Sequence, residues 1–178
     1  LLIVITVAAI VILPIETGVA AGIALSVLHG LWTATRARAI EFVRLPGTSI
    51  WWAPSEAHPG ETLPEVAVMA FQAPLSFLNA YDFRQGMMSA IEGRTLQLLV
   101  LEASSIVEID YTASKMLIEV IQRCRSLHID FAIARLESIR AQEALTGFGV
   151  MDVLQQDRLF HSVNEAVTAL VKGPEHGR

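Results

Sequence analysis

At 178 residues the chain has room for one ordinary domain and an appendage, which excludes two large cores. Hydrophobic residues make up 53% of it and mean hydropathy is +0.49, high for a soluble protein, with the excess concentrated ahead of residue 36. A formal net charge of -5 with no basic stripe excludes recognition of a phosphate backbone, and with it a nucleic-acid partner.

The chain opens at Leu1 in the middle of an apolar run, with no initiator Met and no basic leader, and reads as a piece of a longer protein. From Leu1 to Thr35 the only ionisable side chains are Glu16 and His29. A helix crosses about 30 Å of hydrocarbon in about 20 residues, so the stretch exceeds one span. It predicts the end of a transmembrane domain over residues 1–35: a partial helix at 1–13 and a complete one at 15–34. Pro14 marks the break, because proline disrupts a helix interior.

Gly18, Gly22 and Ser26 recur every four residues, a small-residue stripe expected to admit a helix from an absent part of the protein. Trp32 stands where an aromatic belt is expected, and Arg36, Arg38 and Arg44 follow, so this end should face the cytoplasm. The alternative, a hydrophobic hairpin inside a soluble core, requires the rest of the chain to cover two helices that are apolar all round. Glu16 is read two ways: as an interfacial acid among headgroups and water, or as an ion-related site.

Residues 36–64 read as a basic, proline-containing cytosolic linker, because Leu45 to Pro64 carries four Pro and two Gly and no sustained periodicity. The Trp51-Trp52 pair either rests on the membrane interface or caps the following domain. Deleting Leu1 to Arg44 is expected to leave a soluble monomer.

From Glu65 short apolar runs alternate with amphipathic helices, the pattern of an α/β domain over residues 65–172, with a flexible tail at 173–178. Val66 to Phe71 predicts a strand, and Leu75 to Leu78 extends it or forms another. Asn79 is suited to cap a helix running to about Ile91. Leu96 to Leu101 is near-continuously apolar, as expected of a central strand covered on both faces. A helix at about Thr112 to Leu127 aligns Ala113, Met116, Leu117, Val120, Ile121 and Cys124 on one buried stripe. Cys124 is the only cysteine, so it forms no internal disulfide and suits a reducing compartment.

Ile129 to Ala134 predicts the next strand. A helix at about Glu137 to Phe148 stops at Gly149, and the last helix starts at Ser162 with Glu165 three residues on, a capping box. The fold class is thus α/β: a small sheet of four to five strands flanked by about four helices and preceded by one to two transmembrane helices.

In open α/β sheets chemistry sits beyond the C-terminal strand ends. After the central strand comes Glu102-Ala103-Ser104-Ser105-Ile106-Val107-Glu108-Ile109-Asp110-Tyr111-Thr112. Asp110 is suited to cap the next helix, and Thr112 places a hydroxyl at the positive end of its dipole, where an anion or phosphoryl group fits. The plainer reading is that both residues only terminate the helix. Neither a phosphate-cradling glycine loop nor a serine elbow occurs. The five His are scattered without ligand spacing, so no metal and no cofactor is expected, and no enzymatic activity. Asp152, Asp157 and Arg158 read as a solvated surface.

The order of features resembles the sulfate permease (SulP) family and its cytosolic STAS domain. Pro46-Gly47-Thr48 follows the arginine-bearing exit, and Ala73-Pro74-Leu75-Ser76-Phe77-Leu78-Asn79-Ala80 is similar to the family's APLYFANA. Leu99-Val100-Leu101-Glu102-Ala103-Ser104 through Ile109-Asp110-Tyr111-Thr112-Ala113 is similar to its VLDxS...IDxTG signature. Asp157-Arg158-Leu159-Phe160 resembles its usual ending. The sequence departs at Glu102, where the family has Asp, and at Ala113, where it has Gly.

The resemblance implies a multi-pass protein of a bacterial inner membrane that performs secondary active transport of sulfate or a related inorganic anion, with the STAS domain cytoplasmic and regulatory. It implies as partners the lipid bilayer, the remainder of the membrane domain, the anion and a second copy in a homodimer. In stand-alone STAS proteins, the anti-sigma-factor antagonists, a serine at the position of Thr112 is phosphorylated, which makes Thr112 and Asp110 the regulatory, phosphoacceptor-like candidates. Substrate-binding residues fall on membrane helices outside this chain. The alternative is a membrane-anchored adaptor of that antagonist type, switched by phosphorylation or nucleotide.

Overall fold

A computed structural model describes residues 2–12, 14–34, 38–56 and 59–171, and the chain divides into two compact units, Leu1–Arg36 and Ala37–Arg178. Arg36 and the tail at 173–178 lie outside the described residues.

The first unit is a pair of helices, α1 (Leu2–Ile12) and α2 (Ile15–Ala34). Pro14 separates them as its sequence position requires, and its carbonyl accepts from the Thr17 hydroxyl at 2.8 Å and from the Gly18 N–H at 2.9 Å, so it caps α2 instead of continuing α1. Ile15–Trp32 is long and apolar enough to cross a membrane, and only 6% of that span is buried. Ile3, Val4, Val11, Ile12, Ile15, Ile23 and Leu28 are exposed, so the pair leaves apolar side chains uncovered by its own two helices.

The small-residue stripe differs from expectation. Gly18 and Gly22 are buried, and a Cβ on Gly22 would lie 3.0 Å from Thr6 Cγ2, so Gly22 receives α1 of this same chain, while Ser26 is exposed. Glu16 is exposed in the first turn of α2.

The second unit is built on one sheet with strand order β2-β1-β3-β4-β5-β6. Its strands are β1 (Ala39–Arg44), β2 (Trp51–Trp52), β3 (Val66–Phe71), β4 (Leu98–Glu102), β5 (Asp130–Ala134) and β6 (Leu159–Phe160). β3 to β6 run parallel, and β1 lies antiparallel to both β2 and β3. The helices are α3 (Ala80–Ile91), α4 (Tyr111–Ser126), α5 (Ile139–Gly147), α6 (Val150–Leu154) and α7 (Val163–Leu170).

Six strands replace the four to five expected, because part of the expected linker is sheet. Ala39 pairs with Phe71 and Phe42 with Val68, so β1 covers an edge of β3 that would otherwise leave its ladder groups open. The Trp pair is divided by the period of two: Trp51 is 8% exposed and caps a core, whereas Trp52 is 61% exposed.

The same period sorts the sheet into two cores. Ala67, Met69, Phe71, Leu99, Leu101, Phe131 and Ile133 face the layer that contains α3 and α4, which contributes Phe83, Met87, Leu117 and Cys124. Val66, Val68, Leu98, Val100, Ala132 and Ala134 face the opposite way, against Trp51 and against Val163 and Ala166 of α7. Fully burying one such side chain stabilises by about 1.5 to 3 kcal/mol, so these alternating positions fix the register.

Local signals explain the ends of the elements. Ser162 Oγ accepts from the Glu165 N–H at 3.1 Å, and Glu165 Oε2 accepts from the His161 N–H at 3.0 Å, a capping box that starts α7. Gly149, at φ +76°, ends the α5 segment and opens α6.

Asn79 departs from expectation: it precedes α3 but makes no side-chain cap. Its Oδ1 accepts from the Ser76 N–H and its Nδ2 donates to the Pro74 carbonyl, both at 2.9 Å, so it braces the preceding loop. Leu75 to Leu78 is likewise no strand. Leu75 forms a single parallel bridge to Ile109, and a turn follows. Arg158 is drawn further in than a solvated surface would be, at 21% exposure, by ion pairs to Asp130 at 3.3 Å and Asp157 at 3.1 Å.

Candidate functional site

The C-terminal ends of β3, β4 and β5 deliver three loops to one pole of the sheet. The Leu75 N–H donates to the Glu108 carbonyl at 2.9 Å, and the Asp110 N–H returns a bond to the Leu75 carbonyl at 3.0 Å, which ties the first loop to the second. The Ser138 hydroxyl donates to the Val107 carbonyl at 2.6 Å and ties the third. Ser138 also caps α5, accepting from the Ala141 N–H at 3.4 Å.

Asp110 stands at the centre. Its Oδ1 accepts from the Ala113 N–H at 2.8 Å and caps α4, and its Oδ2 accepts from the Phe77 N–H at 2.6 Å. Both oxygens are thereby engaged by backbone donors, so the carboxylate acts as a structural clamp and is not poised as a base for a neighbouring hydroxyl. Thr112 lies in the first turn of α4 and is exposed. Its hydroxyl sits at the positive end of the helix dipole, where added negative charge is favoured.

Around this position lie residues that sequence reading did not select. Tyr111 is 59% exposed, packs edge-to-face on Phe148 at 5.8 Å and receives the Lys115 ammonium over its ring at 5.0 Å. Behind it, Glu102 at the end of β4 is 4% exposed and is balanced by Arg135 Nη1 at 3.4 Å. Burial of an unpaired carboxylate would be costly, so Arg135 is what makes Glu102 tolerable there. Arg135 occupies left-handed backbone at φ +59° directly after β5, and it also reaches Glu137 at 3.4 Å. The available signal was a charged residue abutting the end of each of two apolar runs. Glu16 belongs to the other unit.

Residues 60–166 match the STAS domain family. The chain belongs to the STAS domain family. As a STAS protein it is 30% identical over 166 residues to a probable sulfate transporter of Mycobacterium tuberculosis, an alignment covering 92% of this chain and 30% of that protein. It therefore spans about 30% of the length of the curated relatives it matches. Among solved structures, the murine Solute Carrier 26 family member A9 anion transporter in the inward-facing state shares the fold with a TM-score of 0.85 at 20% identity, covering 95% of this chain and 28% of that one. The STAS domain of a SulP transporter from Vibrio cholerae is 27% identical with a TM-score of 0.51, covering 62% of this chain and 84% of that one. These relatives agree with the SulP resemblance carried by the loop before α3 and the loop before α4.

Proposed function

We propose that this chain is the C-terminal part of a secondary active transporter of an inorganic, sulfate-type anion, and not an enzyme. In this reading residues 1–35 end a membrane domain whose remainder lies outside the chain. The STAS unit regulates it from the cytoplasmic side of a bacterial inner membrane, and the protein assembles as a homodimer. Glu16 serves at the bilayer boundary, and Thr112, set by Asp110, is the regulatory position.

The observation that carries the reading is one polypeptide joining an outward-apolar helix pair to a STAS domain, in an alignment with a probable sulfate transporter that runs through both units.

The test is uptake by the full-length protein of which this chain is part, reconstituted in liposomes and supplied with isotope-labelled sulfate, bicarbonate or a dicarboxylate. Saturable uptake of sulfate driven by an ion gradient is expected. Absence of uptake for all three anions, together with a gene that encodes no further hydrophobic helices, would replace the transporter with a membrane-anchored STAS adaptor.

A further inference from the structure

β2 is an end strand of the sheet, and the direction of its backbone groups follows from its neighbours. The Leu45 N–H donates to the Ile50 carbonyl at 2.9 Å, which closes the turn between β1 and β2. Arg44 instead turns its N–H to the Glu61 carbonyl at 3.0 Å, and its own carbonyl accepts from the Glu61 N–H at 2.7 Å. Antiparallel ladders alternate hydrogen-bonded and non-hydrogen-bonded pairs, so Arg44 and Trp51 form a pair of the second kind. The N–H and C=O of Trp51 therefore point away from β1, and none of the described residues bonds them.

The side chains at this edge are as open as the backbone. Trp51 turns its indole into the core, and by the period of two Ile50 and Trp52 share the other face, 51% and 61% exposed. Strand edges are ordinarily protected by charge, yet no charged residue occurs from Leu45 to Ser55. Pro54, which has no N–H, stops the ladder from lengthening and leaves Trp51 as the one residue of β2 with an outward donor and acceptor.

Such an edge is complementary to itself. When two β2 strands meet antiparallel about a two-fold axis at Trp51, the Trp51 N–H of each copy donates to the Trp51 carbonyl of the other. Ile50 then lies opposite the partner's Trp52, twice, an aromatic and β-branched pairing that stabilises sheets. A two-fold contact sets each patch against its own copy, so a charged edge of one sign would repel itself and a neutral one does not. We propose that β2 is the surface through which the α/β units of two copies pair, antiparallel and centred on Trp51. This contact presupposes the homodimer proposed above. A stable interface buries at least about 1,200 Å² in total, far more than two residues offer, so β2 sets the register of a dimer held mainly by the remainder of the full-length protein.

The test uses the full-length protein in membranes, with two differently tagged copies, one carrying Ile50→Cys and the other Trp52→Cys, co-expressed and mildly oxidised. In the proposed register Ile50 and the partner's Trp52 form a non-hydrogen-bonded pair with Cα atoms about 4.5 Å apart, inside the disulfide range. Both positions are exposed, so neither substitution disturbs the core. Each variant alone, and Ile50→Cys combined with Tyr81→Cys at an exposed position of α3, serve as controls. A disulfide-linked dimer bearing both tags is expected from the first combination and from no control. Equal linking in any control would show random collision and overturn the proposal. Mass photometry of the unoxidised sample separates the remaining outcomes: a dimer that does not link overturns the β2 contact and leaves the homodimer standing, whereas a monomer overturns both.

Discussion

The Phe77 N–H donates to Asp110 Oδ2 at 2.6 Å although 33 positions separate the two residues, and the other oxygen of the same carboxylate caps α4. One side chain therefore fixes both the loop that leaves β3 and the first turn of α4. Asp110→Ala should lower the stability of the α/β unit by about 1 to 2 kcal/mol, the range for a lost helix cap, and Asp110→Asn by less because an amide oxygen retains one of the two bonds. Urea titration followed by tryptophan fluorescence measures both. A midpoint for Asp110→Ala equal to that of the parent chain would show that the clamp contributes nothing.

At Thr112 the expectation has the opposite sign. The residue is exposed at the start of α4, so Thr112→Glu places a carboxylate near the positive end of the dipole and should leave stability unchanged or raise it by about 0.3 to 1 kcal/mol. Thr112→Lys should lower it by a similar amount. If Thr112→Glu unfolds the unit, an added phosphoryl group is not tolerated at this position, and the regulatory reading of Thr112 fails with it.

What was legible in the sequence follows from range. α4 and the run from Leu96 to Leu101 were visible because periodicity and continuous apolarity are local signals, and Asp110 because a cap is read from neighbours. β1 was not visible. Ala39-Ile40-Glu41-Phe42-Val43-Arg44 is short, half-buried and charged at two positions, and it is a strand only because β3, far along the chain, supplies its partners. The Glu102–Arg135 pair was hidden for the same reason, since parallel pairing of β4 with β5 brings the two strand ends together. Asn79 was misread because its side chain serves the loop before it, an option that spacing alone does not distinguish from capping.

The position of β1 changes where the chain can be cut. Removing residues 1–37 should yield a soluble unit, since β1 stays paired to β3. A cut after Arg44 removes the strand and opens the ladder edge of β3, whose six residues are all buried, so that product should aggregate. Size-exclusion chromatography of the two truncations distinguishes them. If the longer deletion is the soluble monomer and the shorter one is not, β1 belongs with the membrane unit.

Gly60 offers a test of packing in the segment between β2 and β3. It holds φ +69°, and a Cβ there would lie 2.7 Å from Val43 Cβ and 3.2 Å from the Arg44 carbonyl, where it cannot fit without moving β1. Gly93 has φ +70° with open space around it. Gly93→Ala should therefore cost about 1 to 2 kcal/mol, the penalty for left-handed backbone, and Gly60→Ala should add an overpacking cost of about 1 to 3 kcal/mol to that. Equal thermal midpoints for the two variants would mean that the contact with Val43 is relieved without effect.

Cys124 is fully buried in the core beneath α4, and burial pushes its thiol up to about 12. The native thiol should therefore resist Ellman's reagent at pH 8 and react fully once the chain is unfolded in urea. The sign of the pH effect follows from the same shift. In the unfolded chain the thiol ionises at about 8.5, so below that pH it is neutral in both states and stability is unaffected. Between about 8.5 and 12 only the unfolded thiol loses its proton, which favours unfolding by up to about 1.4 kcal/mol per pH unit. Cys124→Ala removes this contribution along with some packing. The stability difference between parent and variant should accordingly shrink as pH rises from 8 to 10, and a difference that stays constant over that interval would place the thiol in contact with water.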